Sequence, residues 1–482
     1  MAVVALVVMM AGLGGCTGVP VRPPSAGVSS DSTSAANSVI CDQAGLEVPP
    51  TVMGKPRAAD YPSGVNFAGP VYPSDVLGVD RGGEQVIAAA PGTPEVGVLI
   101  VKAPGQGPES LWTGVVGVDL RAGTTVWGIN LTGVGGPAAV ATVSSNGVDR
   151  LAVMMKQPAG TPDRQAAVVE TVDAASGHVL WAYSSPDPNL TVMGMAGSMI
   201  AIIDEGVVTG YQVNNLSAAV WQRPGTGFPP EQATMDMFTG SLLIGQDVVT
   251  SDGYVSIQDG TPASFGADAG WSPAYIHTDD GSVFRVSESA GGLGFQRYDP
   301  GTGQPVWAAA ADVQVASGCG SECTGVASNG GTVVSACQDG NLCGYDRAGG
   351  RLVWLTAVEP GSRGGVGLMG IAGQFVFASV LSGSKAAAEV TAVQAADGEN
   401  VYNLGTTPVV LGQCLVYGWS DQELTAYDAS TGDLGIRWTT AMPTTGQASV
   451  LPDGLTGDVE VVGGQLAVVG ADGGVWLAQP AG

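Results

Sequence analysis

The apolar residues of this chain occur in short runs that are separated by turn-forming residues. From about residue 84 these runs follow one another to the C-terminus, beginning with QVIAAA, VGVLIVK, GVVGVD and TVWGIN. Such runs predict β-strands, and the Asp-Gly pairs that begin at Asp252, Asp280, Asp339 and Asp472 predict hairpin turns. No stretch of ten or more residues shows the period of an amphipathic helix. The pattern therefore predicts an all-β fold.

A unit made of a strand, a tight turn and a second strand recurs along the chain. In its regular form an aspartate is followed by a glycine four residues later and by a tryptophan eight residues later. The regular copies contain Asp119, Gly123 and Trp127; Asp173, Gly177 and Trp181; Asp299, Gly303 and Trp307; and Asp346, Gly350 and Trp354. The altered copies contain Val213, Ser217 and Trp221; Gln394, Gly398 and Tyr402; and Asp428, Gly432 and Trp438, the last with two extra residues before the tryptophan.

Each position of the unit has a physical role. The aspartate accepts hydrogen bonds from backbone N–H groups of the turn, and the glycine supplies the positive φ that a tight turn needs. The tryptophan fills the gap to a neighbouring sheet. We therefore expect these residues to be structural docking positions. We assign no catalytic role to any of them.

The spacing of the copies predicts the architecture. The aspartate positions lie 54, 40, 86, 47, 48 and 34 residues apart, and the step of 86 indicates an eroded copy near residues 253–266. A period in the forties with four short strands per unit predicts a β-propeller of four-stranded antiparallel blades. We favour eight blades, with seven as the alternative. We expect the strands after the last copy to complete a blade that begins near the N-terminus, which would close the ring.

The unit resembles the tryptophan-docking repeat of quinoprotein-type (PQQ-like) β-propellers, written AxDxxTGxxxW, over about residues 114–438. That family includes quinone-dependent dehydrogenases, outer-membrane assembly-factor lipoproteins and many binding propellers. The quinone enzymes stack their cofactor on a disulfide of adjacent cysteines and hold calcium with acidic groups. This chain has no Cys-Cys pair, so the resemblance implies the fold and no cofactor.

The N-terminus resembles a bacterial lipoprotein signal. An apolar run ends in Leu13-Gly14-Gly15-Cys16, and Cys16 would become the lipid-modified first residue after cleavage. The sequence departs from the pattern because the first basic residue, Arg22, follows the run; an ordinary secretory signal is the alternative. We predict a signal over 1–16, a flexible Ser/Pro-rich tether over 17–40, an N-terminal wrap over 41–83 and the propeller over 84–482.

Composition narrows the possible partners. The formal net charge of −26 argues against nucleic acid, which binds basic patches. It is equally unsuited to electrostatic attachment to anionic lipid, so membrane attachment would rest on acyl chains. An acidic surface favours cationic partners.

The cysteine count fits an exported protein. With Cys16 used for lipid, six cysteines remain, and an even number in an exported chain implies disulfide bonds. Cys337 and Cys343 flank a hairpin turn and are expected to face each other, Cys319 and Cys323 share a loop, and Cys41 with Cys414 would then join the wrap to the last blade. The alternative is that the four central cysteines bind a metal, although their spacing lacks the tight knuckles of zinc sites.

Residues for catalysis are sparse. The two histidines, His178 and His277, fall beside predicted turns, and no serine-hydrolase elbow, calcium loop or haem motif occurs. We therefore expect a non-catalytic lipoprotein, anchored on the extracytoplasmic face of the cell membrane, whose propeller binds an envelope protein or a cell-wall component. The alternatives are a quinone-dependent dehydrogenase and a sensor of a small ligand or sugar. We predict no cofactor and no metal.

Overall fold

The computed structural model describes residues 57–481 with gaps, the longer of which are 79–84, 91–95, 103–112, 131–138, 157–166, 226–242, 263–274, 313–322, 359–365, 381–388 and 444–456. The predictions for the signal, the tether, Cys16, Cys41 and Cys319 lie outside the described residues. The only helix in the described part of the chain is the four-residue α1 (Ser74–Leu77), which ends at Gly78 with φ of 70°.

The described strands form nine antiparallel sheets, eight with four strands and one with three. The first four sheets along the chain consist of β2 (Gln85–Ala90), β3 (Val96–Lys102), β4 (Thr113–Asp119) and β5 (Thr124–Asn130); β6 (Ala139–Ser145), β7 (Val148–Lys156), β8 (Ala167–Asp173) and β9 (Val179–Ser185); β10 (Thr191–Ala196), β11 (Met199–Asp204), β12 (Val207–Gln212) and β13 (Asn215–Pro224); and β14 (Leu243–Ile244), β15 (Asp247–Thr250) and β16 (Gly253–Ser256).

The remaining sheets follow the same order. They consist of β17 (Tyr275–His277), β18 (Val283–Ser289), β19 (Gly292–Tyr298) and β20 (Ala311–Asp312); β21 (Cys323–Ser328), β22 (Thr332–Cys337), β23 (Asn341–Asp346) and β24 (Leu352–Ala357); β25 (Val366–Ala372), β26 (Phe375–Val380), β27 (Glu389–Gln394) and β28 (Tyr402–Gly405); β29 (Val409–Leu411), β30 (Leu415–Trp419), β31 (Glu423–Asp428) and β32 (Gly435–Ala441); and β33 (Gly457–Val462), β34 (Gln465–Gly470) and β35 (Val475–Pro480), which pair with β1 (Val65–Val71).

The sheets are arranged as propeller blades. The first strands of neighbouring sheets contact each other, as β6 contacts β10 and β21 contacts β25, and β2 and β29 both contact β33. These strands lie toward the centre of the ring. The fourth strands, such as β9 and β24, form its outer rim and carry more exposed side chains. The predicted all-β propeller of four-stranded antiparallel blades is confirmed.

The N-terminal strand completes the last sheet. Strand β1 pairs antiparallel with β35, with Phe67 opposite Ala478. The expectation that the final strands join an N-terminal strand is therefore confirmed, and β1 lies within the residues predicted as a wrap. The predicted number of eight blades is not confirmed, because eight sheets correspond to the eight copies of the unit and the closing sheet is a ninth within the described part of the chain.

The core consists of apolar clusters between successive sheets rather than one central cluster. One lies between the sheet of β29–β32 and the closing sheet and includes Tyr417, Leu424 and Val468. Another lies between β21–β24 and β25–β28 and includes Leu342, Trp354 and Val376. Each sheet is thus stabilised by its neighbours, which places the repeated tryptophans at the positions that decide blade packing.

Candidate functional site: the tryptophan docks and the outer rim

The turn after the aspartate has the geometry that its residues favour. Asp119 Oδ1 accepts hydrogen bonds from the backbone N–H groups of Arg121 and Ala122 at 2.8 and 2.7 Å. Gly123, with φ of 63°, donates its N–H to the carbonyl oxygen of Asp119 at 2.9 Å. The glycines of four further copies make the same bond with positive φ: Gly177, Gly260, Gly350 and Gly398.

Gly260 identifies the eroded copy. It donates its N–H to the carbonyl oxygen of Ser256, so Ser256 occupies the position that an aspartate holds elsewhere. The carboxylate in this turn belongs to the neighbouring Asp259, which accepts hydrogen bonds from the backbone N–H and the hydroxyl of Thr261. These two bonds lower the pKa of Asp259. The unit therefore persists at 256–260 without its aspartate and without its tryptophan.

In the last copy the aspartate is held by two side chains. Asp428 accepts hydrogen bonds from Ser430 and forms an ion pair with Arg437 at 2.8 Å. Burial acts to raise the pKa of Asp428, but the hydrogen bonds and the positive charge of Arg437 outweigh burial and lower it. This carboxylate is therefore ionised in the folded protein.

The tryptophans join successive sheets through one kind of hydrogen bond. The indole Nε1–H of Trp127 donates to the carbonyl oxygen of Ala174 at 2.8 Å, and that of Trp354 donates to Ala395 at 2.9 Å. In each case the acceptor directly follows the aspartate position of the next sheet. The same relation holds for Trp221 with Ile257 and for Trp307 with Arg347, both at 2.8 Å. These four indoles are 2–8% exposed.

Each docked indole also needs a nearby glycine in the turn on which it docks. A Cβ added to Gly398 would lie 2.7 Å from the ring of Trp354, and one added to Gly260 would lie 2.8 Å from the ring of Trp221. A side chain at these positions would push the ring away from the carbonyl. A turn with a glycine and a correctly placed carbonyl is thus the dock for the tryptophan of the preceding sheet.

Trp181 departs from this arrangement. Its copy has the regular spacing, but its side chain is 37% exposed, and the described residues include no acceptor for its indole N–H. The next sheet explains the difference, because Gln212 pairs with Asn215 and the turn between them has two residues only. The register also places Gln212, rather than the predicted Val213, at the aspartate position, and Ser217 lies in β13 rather than in the turn. No dock forms opposite Trp181.

Trp438 is docked by the N-terminal segment instead of a turn. Its indole N–H donates to the carbonyl oxygen of Tyr61 at 2.6 Å, and Arg437 donates to the carbonyl oxygen of Pro62 at 3.1 Å. The hydroxyl of Tyr417 accepts the backbone N–H of Tyr61 and donates to the carbonyl oxygen of Ala59. We call residues 57–64 the strap, because they connect the N-terminal part of the chain to the last two sheets.

The strap carries a buried acid and a buried base. Asp60 is 3% exposed and accepts the backbone N–H groups of Cys414 and Leu415. Burial raises the pKa of Asp60 to about 6, against the opposing effect of these bonds and of the Arg57 charge. Arg57 donates to the carbonyl oxygens of Gly412 and Ile371. Sequence reasoning missed these residues, since no repeat or spacing marks them.

The outer rim of the propeller carries exposed apolar side chains. On β24, Leu352, Val353 and Leu355 are 40–48% exposed, and Ile436 on β32 is 67% exposed. The other exposed large apolar residues on fourth strands are Val126, Val179, Trp181 and Val220. β24 itself contains no charged residue. Edge strands that face only water usually carry charges or proline, so this rim has the composition of a contact surface.

The structure changes the predicted cysteine pairs. Cys343 is buried and its side chain is a thiol rather than half of a disulfide, so the predicted Cys337–Cys343 bond is wrong. The strand register is the reason, because Cys343 lies opposite Ser335 and Cys337 lies opposite Cys323. Cys414 is disulfide-bonded. Its predicted partner lies outside the described residues, so that pairing stays a prediction.

The two histidines and the acidic side chains were the remaining candidates for a catalytic or metal site. His178 is exposed in a turn, and His277 lies in β17. Within the described ranges, no group of three or more His, Cys, Asp or Glu side chains is placed to hold a metal ion. Those ranges also contain no helix that is long and apolar enough to cross a membrane.

Comparisons with known proteins found distant structural matches only. No protein-family profile and no curated protein sequence matches the chain. Among solved structures, BamB from Moraxella catarrhalis is 14% identical over 86% of this chain and 100% of its own, with a TM-score of 0.38. The computationally designed protein Ika8 is 13% identical over 85% and 99%, with a TM-score of 0.38. Saccharomyces cerevisiae Sqt1 is 13% identical over 86% and 100%, with a TM-score of 0.39. At these values no conclusion about function follows.

Proposed function

We propose that the protein is a non-catalytic envelope lipoprotein whose propeller binds another protein through its outer rim. The observation that carries the proposal is the exposed apolar side chains on β24 and on the other fourth strands. A fourth strand has backbone N–H and C=O groups on one edge that its own sheet does not use, and it offers them next to an apolar surface. Both features suit the binding of an extended protein segment.

The experiment that tests rim binding is site-specific photo-crosslinking in cells. A photoreactive phenylalanine analogue would replace Val353, which is 48% exposed on β24. The matched control carries the analogue at Gly330, an exposed turn residue away from the rim. We expect a discrete crosslinked protein from position 353 and none from position 330. Equal labelling at both positions, or no adduct at any rim position, would contradict the proposal.

The membrane anchor rests on the lipobox and the tether. If Cys16 carries the acyl chains, Cys16→Ala releases the protein from the membrane fraction, and the propeller still folds. The measurement is the distribution of the protein between membrane and soluble fractions after ultracentrifugation. A Cys16→Ala protein that stays with the membrane would show that another feature attaches it.

The absence of catalysis is tested separately. The purified protein would be incubated with pyrroloquinoline quinone and calcium, and its visible spectrum and dye-linked oxidation of alcohols and sugars would be measured. We expect neither a bound chromophore nor activity. Stoichiometric quinone binding would support the alternative of a quinone-dependent dehydrogenase.

A further inference from the structure

Cys414, in the turn between β29 and β30, is 3% exposed and disulfide-bonded. From the sequence, Cys41 became its expected partner only because Cys337 was paired with Cys343, and that pair is wrong. The fold offers a separate way to find the partner. A disulfide joins residues whose Cα atoms lie about 4–7 Å apart, so the position of each cysteine in the propeller decides whether it can reach this turn.

Cys323 and Cys337 lie on the wrong face of the propeller to reach Cys414. Successive sheets of a propeller are related by rotation about its axis, so the turns between first and second strands all lie on one face. Cys414 is in such a turn, whereas Cys323 begins β21 and Cys337 ends β22, at the other end of their sheet. Strands of this length separate the two faces by about 17–20 Å, and the sheet of β25–β28 lies between. Neither residue can therefore pair with Cys414.

Cys343 and Cys319 are excluded as well. Cys343 is a thiol. Cys319 precedes Cys323 by four residues, so the two Cα atoms are at most about 14 Å apart. This reach does not cover the length of a strand together with two steps from sheet to sheet of about 10 Å each. With Cys16 carrying lipid, as in the proposed function, Cys41 is the cysteine that remains.

The strap brings the N-terminal part of the chain to the turn that contains Cys414. Ala58 donates its N–H to the carbonyl oxygen of Leu411 at 3.0 Å, and Asp60 accepts the N–H of Cys414 at 2.9 Å. The chain therefore arrives at this turn within hydrogen-bonding distance of Cys414 itself. Cys41 lies 17 residues before Ala58, a length that lets the chain fold back to the same turn.

We infer that Cys41 and Cys414 form the disulfide and that this bond locks the strap at its N-terminal end. The tether continues from Arg57, so a pull on it would break the contacts of the strap one after another. A covalent bond between Cys41 and the β29–β30 turn takes this load before it reaches the strap. The carbonyl oxygen of Tyr61 then stays on the indole of Trp438. The pairing rests on the fold, and the load rests on the proposed lipid anchor.

Tryptic mapping of the Cys16→Ala protein identifies the pair. Free thiols are alkylated first, and the protein is digested without reduction. Trypsin leaves Cys41 in the N-terminal peptide, Cys414 in peptide 386–437 and the other four cysteines in peptide 298–347. We expect the N-terminal peptide to be linked to 386–437 and to separate from it on reduction. A link between 386–437 and 298–347, or an alkylated Cys414, would overturn the inference.

Native-state proteolysis tests the lock. Arg57 is 2% exposed, so trypsin cuts after it only when the strap opens. We expect Cys41→Ser to speed this cut at least about tenfold, because loss of the disulfide frees the end of the strap. The control is Cys343→Ala, which removes a buried cysteine that forms no disulfide and should leave the rate unchanged. An unchanged rate in Cys41→Ser would show that the bond does not hold the strap.

These outcomes separate the inference from the proposed function. A Cys41–Cys414 link in a protein that fails to anchor in the membrane would support the lock and remove the lipoprotein. Cys414 linked to any other cysteine would remove the lock and leave the anchor and rim binding standing.

Discussion

The sheet of β21–β24 and the sheet of β6–β9 contain the same sequence unit and differ in the packing of its tryptophan. Trp354 and Trp181 both follow an aspartate by eight residues and a glycine by four. Trp354 is 7% exposed and Trp181 is 37% exposed. The residues that decide this lie in the next sheet, where Gly398 ends a four-residue turn in one case and a two-residue hairpin replaces it in the other. A complete unit is therefore not sufficient to bury its tryptophan, because the turn that receives the indole belongs to the next sheet.

The strap is a third solution to the same packing problem. The sheet that follows Trp438 is the closing sheet, which contains no copy of the unit and therefore no turn for the indole. The indole N–H of Trp438 donates to the carbonyl oxygen of Tyr61 instead. Because the strap packs against the last two sheets, its residues Asp60 and Arg57 are buried in the protein interior. The comparison separates three classes of tryptophan: docked on a turn, docked on the strap, and exposed.

The largest expected effect comes from removing a docked indole. Trp354→Ala should destabilise the protein by about 3–5 kcal/mol, because it removes a buried ring and leaves a cavity between two sheets. Trp181→Ala should cost clearly less than Trp354→Ala, since more than a third of the Trp181 side chain already contacts water. Denaturant unfolding of both variants gives the two values. Equal losses would contradict the distinction between docked and exposed tryptophans.

The strap should make stability depend on pH through Asp60. Its pKa is raised to about 6 in the folded protein, so its contribution to stability is fully present below about pH 4 and is lost as the pH rises through 6. The difference between this pKa and the ordinary value of 3.8 corresponds to about 3 kcal/mol. Asp60→Asn cannot titrate. Urea unfolding at several pH values should therefore show the stability of the wild type, relative to Asp60→Asn, falling between pH 4 and 7.

Asp428→Asn serves as the control of opposite sign. The lowered pKa of Asp428 makes its contribution present at neutral pH and lost as the pH falls, so its difference from the wild type should grow as the pH rises. If Asp60→Asn and Asp428→Asn changed the pH profile in the same direction, the assignment of a raised pKa to the buried Asp60 would be wrong.

A smaller effect is expected from filling the space under a docked ring. A Cβ at Gly344 would lie 2.0 Å from the ring of Trp354, so Gly344→Ala should cost about 1–3 kcal/mol through overpacking. Gly331→Ala, in the turn between β21 and β22 with no atom within 4 Å of the added Cβ, is the control and should change stability little. Thermal unfolding compares the two. A tolerated alanine at 344 would show that the sheets separate easily.

The smallest effect concerns Thr171, opposite the undocked Trp181. Thr171 is fully buried, and its hydroxyl has no hydrogen-bond partner in the described part of the chain. Thr171→Val keeps the shape of the side chain and removes the unsatisfied group, so it should stabilise the protein by up to about 1 kcal/mol. A clear loss of stability would indicate that the hydroxyl makes a bond that matters.

Much of the fold could be predicted because its signals are local. The hydrogen bonds that Asp119 accepts from the N–H groups of Arg121 and Ala122 span two and three residues, and Gly123 needs its positive φ for the same turn. The pairing of the last strands with an N-terminal strand was also predicted. The strap was not, because Asp60 contacts Cys414 and Leu415 across more than 350 positions, and no pattern in either segment indicates the other. The wrong Cys337–Cys343 pair has the same origin, since a shift in strand register decides which cysteines face each other.

The amino-acid sequence by itself determined the strands, the turns and the period of the repeat, because each depends on backbone preferences within about ten residues. Only the tertiary structure decided which indoles are buried. Burial needs a carbonyl and a glycine from another sheet or from the strap, and their positions depend on how two distant segments pack. Trp181 has the aspartate, turn and spacing of its own unit, but the next sheet supplies no turn for its indole, so its ring is partly exposed.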